Sequence, residues 1–193
     1  SRTLVPRADG RGEDVPCDLT DPKALTKLAA GILARHGSPD ILVSNAGAFV
    51  MRPLELTTDA EIDEQLGINL RAAFGVARAF LPAMARAGWG RVVLIGSRVA
   101  QGKAGRSQYA ATKAALQGLA RSWAAEVVAS GVTVNVVSPA ATQTAMTDDP
   151  ARRDVTPVLP PIGRLIQPDE IASLVSYLLS PAAAAITGQD LQI

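Results

Sequence analysis

The sequence has few of the residues from which metal sites and disulfide frameworks are built. Its 193 residues include one cysteine, Cys17, and one histidine, His36. A single cysteine excludes an internal disulfide and fits a reducing compartment. With no second histidine and no cysteine cluster, we predict no metal site. His36 is expected only to end a helix, where a positive charge is favourable.

An excess of one charge and long apolar runs are also missing. There are 19 lysines and arginines against 18 aspartates and glutamates, a formal net charge of +1. This balance gives no electrostatic case for a nucleic-acid or membrane partner. No apolar run approaches the roughly 20 residues that span a bilayer, and no secretory signal pattern opens the sequence. The default expectation is a soluble cytoplasmic protein with one domain over residues 1–193.

Apolar segments alternate with helix-forming segments from Asp14 onward, a pattern typical of an α/β fold. Strands are predicted at residues 15–19, 41–43, 132–137 and 190–193, with a further apolar run at 92–95. The strand at 41–43 is expected to be buried. Helices are predicted at residues 20–37, 58–87, 107–131 and 167–179. Pro82 should bend the second helix or end one segment of it.

The stretch at residues 95–113 contains three side chains that can work together. Tyr109 and Lys113 are four residues apart in a segment rich in helix formers, so they should project from one face. An ammonium beside a phenol stabilises the phenolate and lowers a pKa that is about 10 in free tyrosine. Tyr109 could then act as a general acid or base, and Ser97 could bind the reacting oxygen. Such a pair can also be just two helical neighbours.

Several other short motifs accompany this stretch. In chain order they are Cys17-Asp18-Leu19-Thr20-Asp21, Ser44-Asn45-Ala46-Gly47, Asn69, Gly96-Ser97, Tyr109-Ala110-Ala111-Thr112-Lys113, Asn135, Ser138-Pro139 and Thr187-Gly188-Gln189. Together they resemble the short-chain dehydrogenase/reductase family, and within it the 3-oxoacyl carrier-protein reductases and related sugar and polyol dehydrogenases. The resemblance covers nearly the whole chain. It implies a Rossmann-like fold, with a doubly wound parallel sheet in three α/β/α layers.

The resemblance implies an oxidoreductase that transfers a hydride between NADP or NAD, with NADP slightly favoured, and a ketone or secondary alcohol. Ser97 would polarise the carbonyl, Tyr109 would donate the proton, and Lys113 would lower the Tyr109 pKa and bind the nicotinamide ribose. Asn69 would hold a water on its backbone that links Lys113 to solvent. An asparagine inside a helix could instead be solvated or bonded locally.

The resemblance also implies cofactor contacts before the catalytic stretch. Asp18 would accept a hydrogen bond from the adenine amino group, with Leu19 beside the ring; helix capping by Asp18 is the alternative. Asn45, Ala46 and Gly47 would pack against the adenosine ribose, where small residues permit close approach. An ordinary strand-ending turn is the alternative there. Arg2 could bind a 2′-phosphate and select NADP.

Further contacts are implied after the strand at 132–137. The family usually has Pro-Gly there, then an aliphatic residue and a threonine that hold the nicotinamide carboxamide. Here Pro139 is followed by Ala140, whose methyl group stands where φ could need to be positive. Thr144 matches the family threonine, and Thr142 replaces the aliphatic residue. Residues 145–163 correspond to the family's substrate lid, with a plain surface loop as the alternative.

The family's first strand, Gly-rich turn and helix have no counterpart before Cys17. That unit binds the cofactor pyrophosphate, and without it the strand at 15–18 would lack its neighbours. We therefore expect the sequence to be a fragment or to miss its N-terminal region; a rearranged, cofactor-free domain is the alternative. The second functional hypothesis is a catalytically silent or truncated protein of this fold that serves binding or oligomerisation.

The resemblance implies two kinds of partner. One is a small carbonyl or alcohol substrate, whose identity the residues do not specify. The other is a second copy of the chain, because the family forms a homotetramer or homodimer on its two long helices. We expect those helices to present broad apolar surfaces around Phe74 and Leu116.

Overall fold

The computed structural model describes residues 12–144 and 159–193. Four strands form one parallel sheet, and consecutive strands are neighbours in the order β1-β2-β3-β4. All four strands run in the same direction, so their carboxyl ends meet at one edge of the sheet. The strands are β1 Ile41–Ser44, β2 Gly90–Ile95, β3 Val132–Ser138 and β4 Asp190–Gln192.

Helices cover the sheet on both faces. Side chains alternate along β2 and β3, so Val92 and Val134 pack into the cluster that contains α3 and α4 residues, whereas Val93 and Val137 pack against α5. Every residue of β3 is buried, as is typical of a parallel strand that is covered on both faces. The expected three-layer α/β/α arrangement is confirmed. The helices are α1 Pro22–His36, α2 Asp59–Leu66, α3 Ala72–Ala87, α4 Ser107–Val127 and α5 Pro168–Leu179.

The ends of α1 follow the local sequence signals. Asp21 caps the helix, since its side chain accepts a hydrogen bond from the Lys23 backbone N–H at 2.8 Å. His36 is the last helical residue, and Gly37 follows with φ 76°, a conformation that favours glycine. The prediction for this helix, including the position of His36, is confirmed.

The helical stretch at 58–87 differs from its prediction in two ways. A π-helical turn at Gly67–Arg71 separates α2 from α3, and it widens the backbone where Asn69 lies. Pro82 lies inside α3 and does not end it, because α3 continues to Ala87 and stops at Gly88 with φ 77°. The exposed position of Pro82 leaves water to satisfy the carbonyl that its ring deprives of a partner.

Two strand predictions need correction. Residues 13–18 are irregular, so the predicted strand at 15–19 is wrong: no described strand lies beside this segment to share a hydrogen-bond ladder with it. The strand at 41–43 exists, but it is only half buried. Leu42 packs against the core, whereas Ile41 and Val43 are 46% and 42% exposed, because α5 packs over β2 and β3 instead.

The two residues expected at an oligomer surface lie in different environments. Phe74 on α3 is 46% exposed and makes an edge-to-face contact with Trp123 of α4, with ring centroids 5.4 Å apart. Leu116 on α4 is 2% exposed and belongs to the core cluster between α4 and the sheet. The prediction that Leu116 contributes to an exposed surface is therefore wrong, because its turn of α4 faces the sheet.

Candidate active site

Ser97 lies just beyond the carboxyl end of β2. The preceding residue must be small: a Cβ on Gly96 would lie 2.5 Å from Ser138 Oγ and 2.6 Å from Val136 Cγ1. The Ser97 hydroxyl accepts a hydrogen bond from the Val99 backbone N–H at 3.2 Å and so caps a short 3₁₀ turn. Since that bond uses only a lone pair, the hydroxyl proton stays available to a substrate oxygen.

Helix α4 positions the tyrosine and the lysine. The helix begins at Ser107, so Tyr109 lies in its first turn and Lys113 one turn further on. The Lys113 Nζ atom is 5.7 Å from the centroid of the Tyr109 ring. Ser97, Tyr109 and Lys113 all line one cavity of about 530 Å³. The structure thus brings the three predicted catalytic side chains together from β2 and α4.

Lys113 is a buried cation. It is 5% exposed, and its Nζ donates a hydrogen bond to the Ile95 carbonyl oxygen at 2.8 Å. Burial lowers the pKa of Lys113 to about 8, because desolvation disfavours the charged form. No salt bridge among the described residues includes Lys113. Its charge is therefore directed at the carbonyl and the neighbouring phenol rather than neutralised by an acid.

Asn69 is 2% exposed and holds the loop that follows β1. Its Oδ1 accepts a hydrogen bond from the Ala48 N–H at 2.9 Å, and its Nδ2 donates to the Ala48 carbonyl at 3.0 Å. The same Nδ2 also lies within hydrogen-bond distance of the Gln65 side-chain amide and of Thr112 Oγ1 on α4. A solvated Asn69 is therefore excluded. The proposed water on its backbone stays a prediction.

Gly47 is needed for space rather than for an unusual backbone conformation. A Cβ at this position would lie 3.0 Å from Asn69 Oδ1 and 3.5 Å from Lys113 Nζ. Gly47 is not among the described glycines with positive φ. The absence of a side chain at Gly47 thus lets the end of β1 approach both polar groups, which explains why a small residue stands there.

Two cavities adjoin at the carboxyl end of β1. The smaller holds the three catalytic candidates, and the larger, of about 1080 Å³, lies between residues 16–20, the end of β1 and α2. Both are bordered by Asn45, Gly47 and Ala48. Together they form a trough along the carboxyl edge of the sheet, where open α/β sheets bind their ligands.

The cofactor candidates near the N-terminal side border the larger cavity. Asp18, Leu19 and Ala46 all line it. Asp18 Oδ1 accepts hydrogen bonds from the Thr20 backbone N–H and from Thr20 Oγ1, at 2.9 and 2.7 Å. The alternative role of capping α1 belongs to Asp21 instead. Arg2 lies outside the described residues.

Only some of the cofactor candidates that follow β3 line a cavity. Pro139, Thr142 and Thr144 line the smaller cavity, whereas Ala140 does not. No described residue other than glycine has a positive φ, so the expected backbone conflict at Ala140 does not arise. The Ala140 N–H instead donates to the Ile193 carbonyl at 2.6 Å. Of the lid, residues 145–158 lie outside the described part of the chain.

Two neighbours of the catalytic candidates were not predicted from the sequence. Phe49 makes an edge-to-face contact with Tyr109, with ring centroids 4.9 Å apart. Helix α5 supplies one wall of the smaller cavity. Neither has a local sequence signal, because both are brought to the site by packing between distant segments. The α5 wall consists of Pro168, Ile171, Ala172, Val175 and Ser176.

Two motifs that carried the resemblance bind each other. Asn135 on β3 donates to the Ile186 carbonyl at 2.8 Å, and its Oδ1 accepts from the Gln189 N–H at 3.1 Å. Thr187 Oγ1 accepts from the Val134 N–H at 3.0 Å. Asn135 and the Thr187-Gly188-Gln189 motif are therefore structural: they fix the approach of β4 to β3.

The described ranges hold neither a metal-binding cluster nor a membrane-spanning helix. Residues 12–144 and 159–193 contain no group of three or more His, Cys, Asp or Glu side chains that could hold a metal ion. Within the same part of the chain, no helix combines the length and hydropathy needed to cross a membrane.

The fold and the site together define a Rossmann-like α/β protein whose ligand trough follows the carboxyl edge of its parallel sheet. The family model described as Enoyl-(Acyl carrier protein) reductase matches residues 2–193. The chain belongs to the short-chain dehydrogenase/reductase family. It is an oxidoreductase of the class that acts on CH–OH groups with NAD or NADP as acceptor.

Curated relatives match over most of the chain. It is 37% identical over 185 residues to the 3-oxoacyl-[acyl-carrier-protein] reductase FabG of Vibrio cholerae, which covers 94% of this chain and 76% of that protein. The protein of the same name from Escherichia coli is 38% identical over 190 residues, which are 96% of this chain and 77% of that protein. Nodulation protein G of Azospirillum brasilense is 37% identical over 180 residues, which are 91% of this chain and 73% of that protein.

Proposed function

We propose that this chain interconverts a ketone and a secondary alcohol with Tyr109 as the general acid and base. The observation that carries the proposal is the buried ammonium of Lys113 beside Tyr109, in the cavity that Ser97 also lines. In the reductive direction the Tyr109 hydroxyl gives its proton to the carbonyl oxygen. The Ser97 hydroxyl donates a hydrogen bond to the same oxygen and stabilises the charge that develops there.

Nicotinamide cofactor, when bound, supplies or accepts the hydride. The trough fits such a group because Gly47 leaves open the space in front of Lys113 Nζ. Asp18, Leu19, Asn45, Ala46 and Gly47 would hold the adenosine half. Pro139, Thr142 and Thr144 would hold the nicotinamide, with Ala140 in their loop. Lys113 would bind the nicotinamide ribose. NADP is proposed in preference to NAD for one reason: the position of Arg2 in the sequence suits a residue that binds the 2′-phosphate.

Tyr109 needs a route by which its proton is replaced after each turnover. Lys113 Nζ and Asn69 Oδ1 both border Gly47, and Asn69, in the Gly67–Arg71 π turn, is held by hydrogen bonds to Ala48 and by contacts with Gln65 and Thr112. A turn that is locked in this way can hold a water on its backbone with little motion. We therefore assign the link between Lys113 and solvent to a water on Asn69.

The substrate is proposed to be a small ketone or its alcohol. A 3-oxoacyl thioester contains such a ketone. It is a specific candidate, since two of the relatives are named 3-oxoacyl-[acyl-carrier-protein] reductases. The chain is proposed to act in the cytoplasm as a homotetramer or homodimer that is joined through α3. The exposed ring of Phe74 on that helix supports this association.

A catalytically silent protein of the same fold is the second candidate. It is favoured by one observation: the described residues contain no Gly-x-x-x-Gly-x-Gly turn between a strand and a helix, the pattern expected to hold a pyrophosphate. The two candidates differ in whether the purified chain binds a nicotinamide cofactor and uses it.

The test is to titrate the chain with NADPH and NADH, following cofactor fluorescence, and then to measure reduction of ethyl acetoacetate. Saturable binding and turnover are expected. Tyr109→Phe should bind cofactor normally yet lose about a hundredfold to ten-thousandfold in kcat, since it removes the proton donor. The control is Tyr177→Phe on α5, the other tyrosine in the chain, which should keep full activity. Absence of cofactor binding would favour the silent protein.

A further inference from the structure

A long part of the chain contains cations and no acids. Residues 65–125 include nine lysines and arginines but no aspartate or glutamate. Three of these cations, Arg98, Lys103 and Arg106, lie in the loop between the catalytic candidates Ser97 and Tyr109. The near-zero net charge of the whole chain thus hides a local excess of positive charge beside the active site.

The contacts of this loop place its charges close to Tyr109. The guanidinium carbon of Arg106 is 5.2 Å from the centroid of the Phe49 ring, and that centroid is 4.9 Å from the Tyr109 ring centroid. These two distances put the Arg106 guanidinium within about 10 Å of the Tyr109 ring. At the start of the loop, the Arg98 N–H donates to the carbonyl of Pro139, which lines the catalytic cavity.

Lys103 and Arg106 lie in one turn, since the Arg106 N–H donates to the Lys103 carbonyl at 3.2 Å, and their charges repel each other. The pKa of Lys103 is lowered, first by partial burial and then by the charge of Arg106. Repulsion of this kind is relieved when an anion binds between two cations.

Acids in the described ranges do not compensate this charge at Lys103 or Arg98. The salt bridges found there use other arginines, and neither Lys103 nor Arg98 takes part in one. Arg52, whose N–H donates to the Gly105 carbonyl, is different because its guanidinium lies 2.6 Å from Glu61 Oε1. The charges of Lys103 and Arg98 are therefore not neutralised by a salt bridge within the described ranges.

We propose that the carbonyl substrate carries an anionic group, a carboxylate or a phosphate, and that Lys103 and Arg106 bind it. The inference rests on the proposed function and adds a substrate class to it. The Phe49 ring contacts both Arg106 and Tyr109, and in this proposal it offers an apolar surface to the carbons that join the carbonyl to the anion. Ammonium and guanidinium groups form charge-assisted hydrogen bonds with both kinds of anion. Lys103 and Arg106 are thus specificity-determining residues.

The kinetic test compares charged substrates with neutral ones of similar shape. The carboxylate arm uses 5-oxohexanoate against its methyl ester, and the phosphate arm uses dihydroxyacetone phosphate against dihydroxyacetone. In at least one arm the anion should have the higher kcat/KM. Lys103→Gln and Arg106→Gln should each raise KM for that anion about tenfold, the effect of one lost charge-assisted hydrogen bond, and leave the neutral partner nearly unchanged.

Lys27→Gln on α1 and Arg86→Gln on α3 are the matched controls, since each removes one exposed cation far along the chain from the loop. Both should leave the preference for the anion intact. Equal kcat/KM for anion and neutral partner in both arms overturns the inference. So does a preference that Lys103→Gln and Arg106→Gln leave unchanged. In either case turnover of the neutral ketones would still support the proposed function.

If none of the four compounds is turned over, calorimetry measures the binding of each and tests the anion site directly. The lack of turnover would count against the proposed function but not against the anion site. Binding of an anion that is at least about tenfold tighter than binding of its neutral partner, and that weakens in Lys103→Gln and Arg106→Gln, supports the site. Equal binding of both partners, or binding that the variants do not alter, overturns it.

Discussion

At the scale of single residues, the site combines groups that are costly to bury with glycines that make room for them. Lys113 keeps its ammonium inside the protein, and the buried amide of Asn69 holds the Ala48 loop beside it through two hydrogen bonds. Gly47 and Gly96 allow the strand ends to come this close. Burial of such polar and charged groups lowers the stability of the protein, and groups of this kind are common at functional sites.

Replacement of Lys113 should reveal this cost as a pH dependence of stability. Its folded-state pKa of about 8 lies below the ordinary lysine value of 10.5, so between these two values the unfolded chain binds more protons than the folded one. Stability therefore rises with pH in this window. Lys113→Met, which removes the group, should gain stability relative to wild type at pH 7, and this gain should shrink by about 2 kcal/mol at pH 10.

Urea unfolding at the two pH values measures this difference. Lys27→Met, at an exposed site on α1, should show no comparable change between pH 7 and pH 10. A difference between Lys113→Met and wild type that is the same at both pH values would mean that Lys113 titrates alike in the folded and unfolded chains.

Two glycine substitutions should have opposite effects. Gly96→Ala introduces a Cβ within 2.5 Å of Ser138 Oγ and 2.6 Å of Val136 Cγ1, so it should lower the free energy of unfolding by about 1–3 kcal/mol. Gly31→Ala in α1 meets no atom within 4 Å and should raise it by about 0.5–1 kcal/mol, because alanine is the better helix former. Thermal unfolding of both variants checks the prediction, and a stable Gly96→Ala would contradict it.

At the scale of secondary-structure elements, the helices carry their own start and stop signals, whereas the strands depend on their neighbours. Asp21 and Thr58 cap α1 and α2 through hydrogen bonds within three residues. The position of β4 is set by contacts across the sheet, since Ser138 Oγ donates to Asp190 Oδ1 at 2.5 Å and Gln117 donates to Asp190 Oδ2 at 2.8 Å. Helix ends are therefore readable locally, and strand partners are not.

Two threonines on helices test the capping argument. Thr58 accepts a hydrogen bond from the Glu61 N–H, while Glu61 accepts one from the Thr58 N–H. Thr58→Ala should thus cost about 1 kcal/mol of stability. Thr26 lies inside α1, and its hydroxyl donates to the Pro22 carbonyl, so Thr26→Ala should be neutral or slightly stabilising. Equal losses for the two variants in urea unfolding would argue against a special role for the cap.

At the scale of the whole molecule, the helical layers on both faces of the sheet expose an aromatic ring. Phe74 on α3 and Tyr177 on α5 are equally exposed, at 46% each, on opposite faces of the sheet. If the chain associates through α3 as proposed, Phe74 is covered in the oligomer and Tyr177 is not. The two residues thus form a matched pair for measuring which helical layer joins the copies.

Phe74→Ser should weaken self-association at least about tenfold, because burial of a large aromatic side chain contributes more than the roughly 1.4 kcal/mol that this factor requires. Tyr177→Ser should leave the oligomer unchanged. Sedimentation velocity over a range of concentrations measures both, with circular dichroism to verify that each variant is folded. Identical association of wild type and Phe74→Ser would remove α3 from the interface.

Much of the architecture was determined by the sequence alone, because its signals are local. The bounds of α1 and α5 follow from Pro22, Gly37, Pro168 and their capping neighbours, and the four-residue spacing of Tyr109 and Lys113 already places both on one side of α4. The ordered motifs were enough to indicate the family, and the motifs after β1, after β2 and in α4 mark strand ends or a helix turn.

The tertiary structure decided what depends on distant partners. The predicted strand at 15–19 lacks a neighbouring strand, and the predicted burial of Ile41 and Val43 fails because α5 packs over β2 and β3. Only packing brings Phe49 to Tyr109 and turns Leu116 toward the sheet. Hydrogen-bond ladders and burial are properties of pairs of segments, so a pattern within one segment could not determine them.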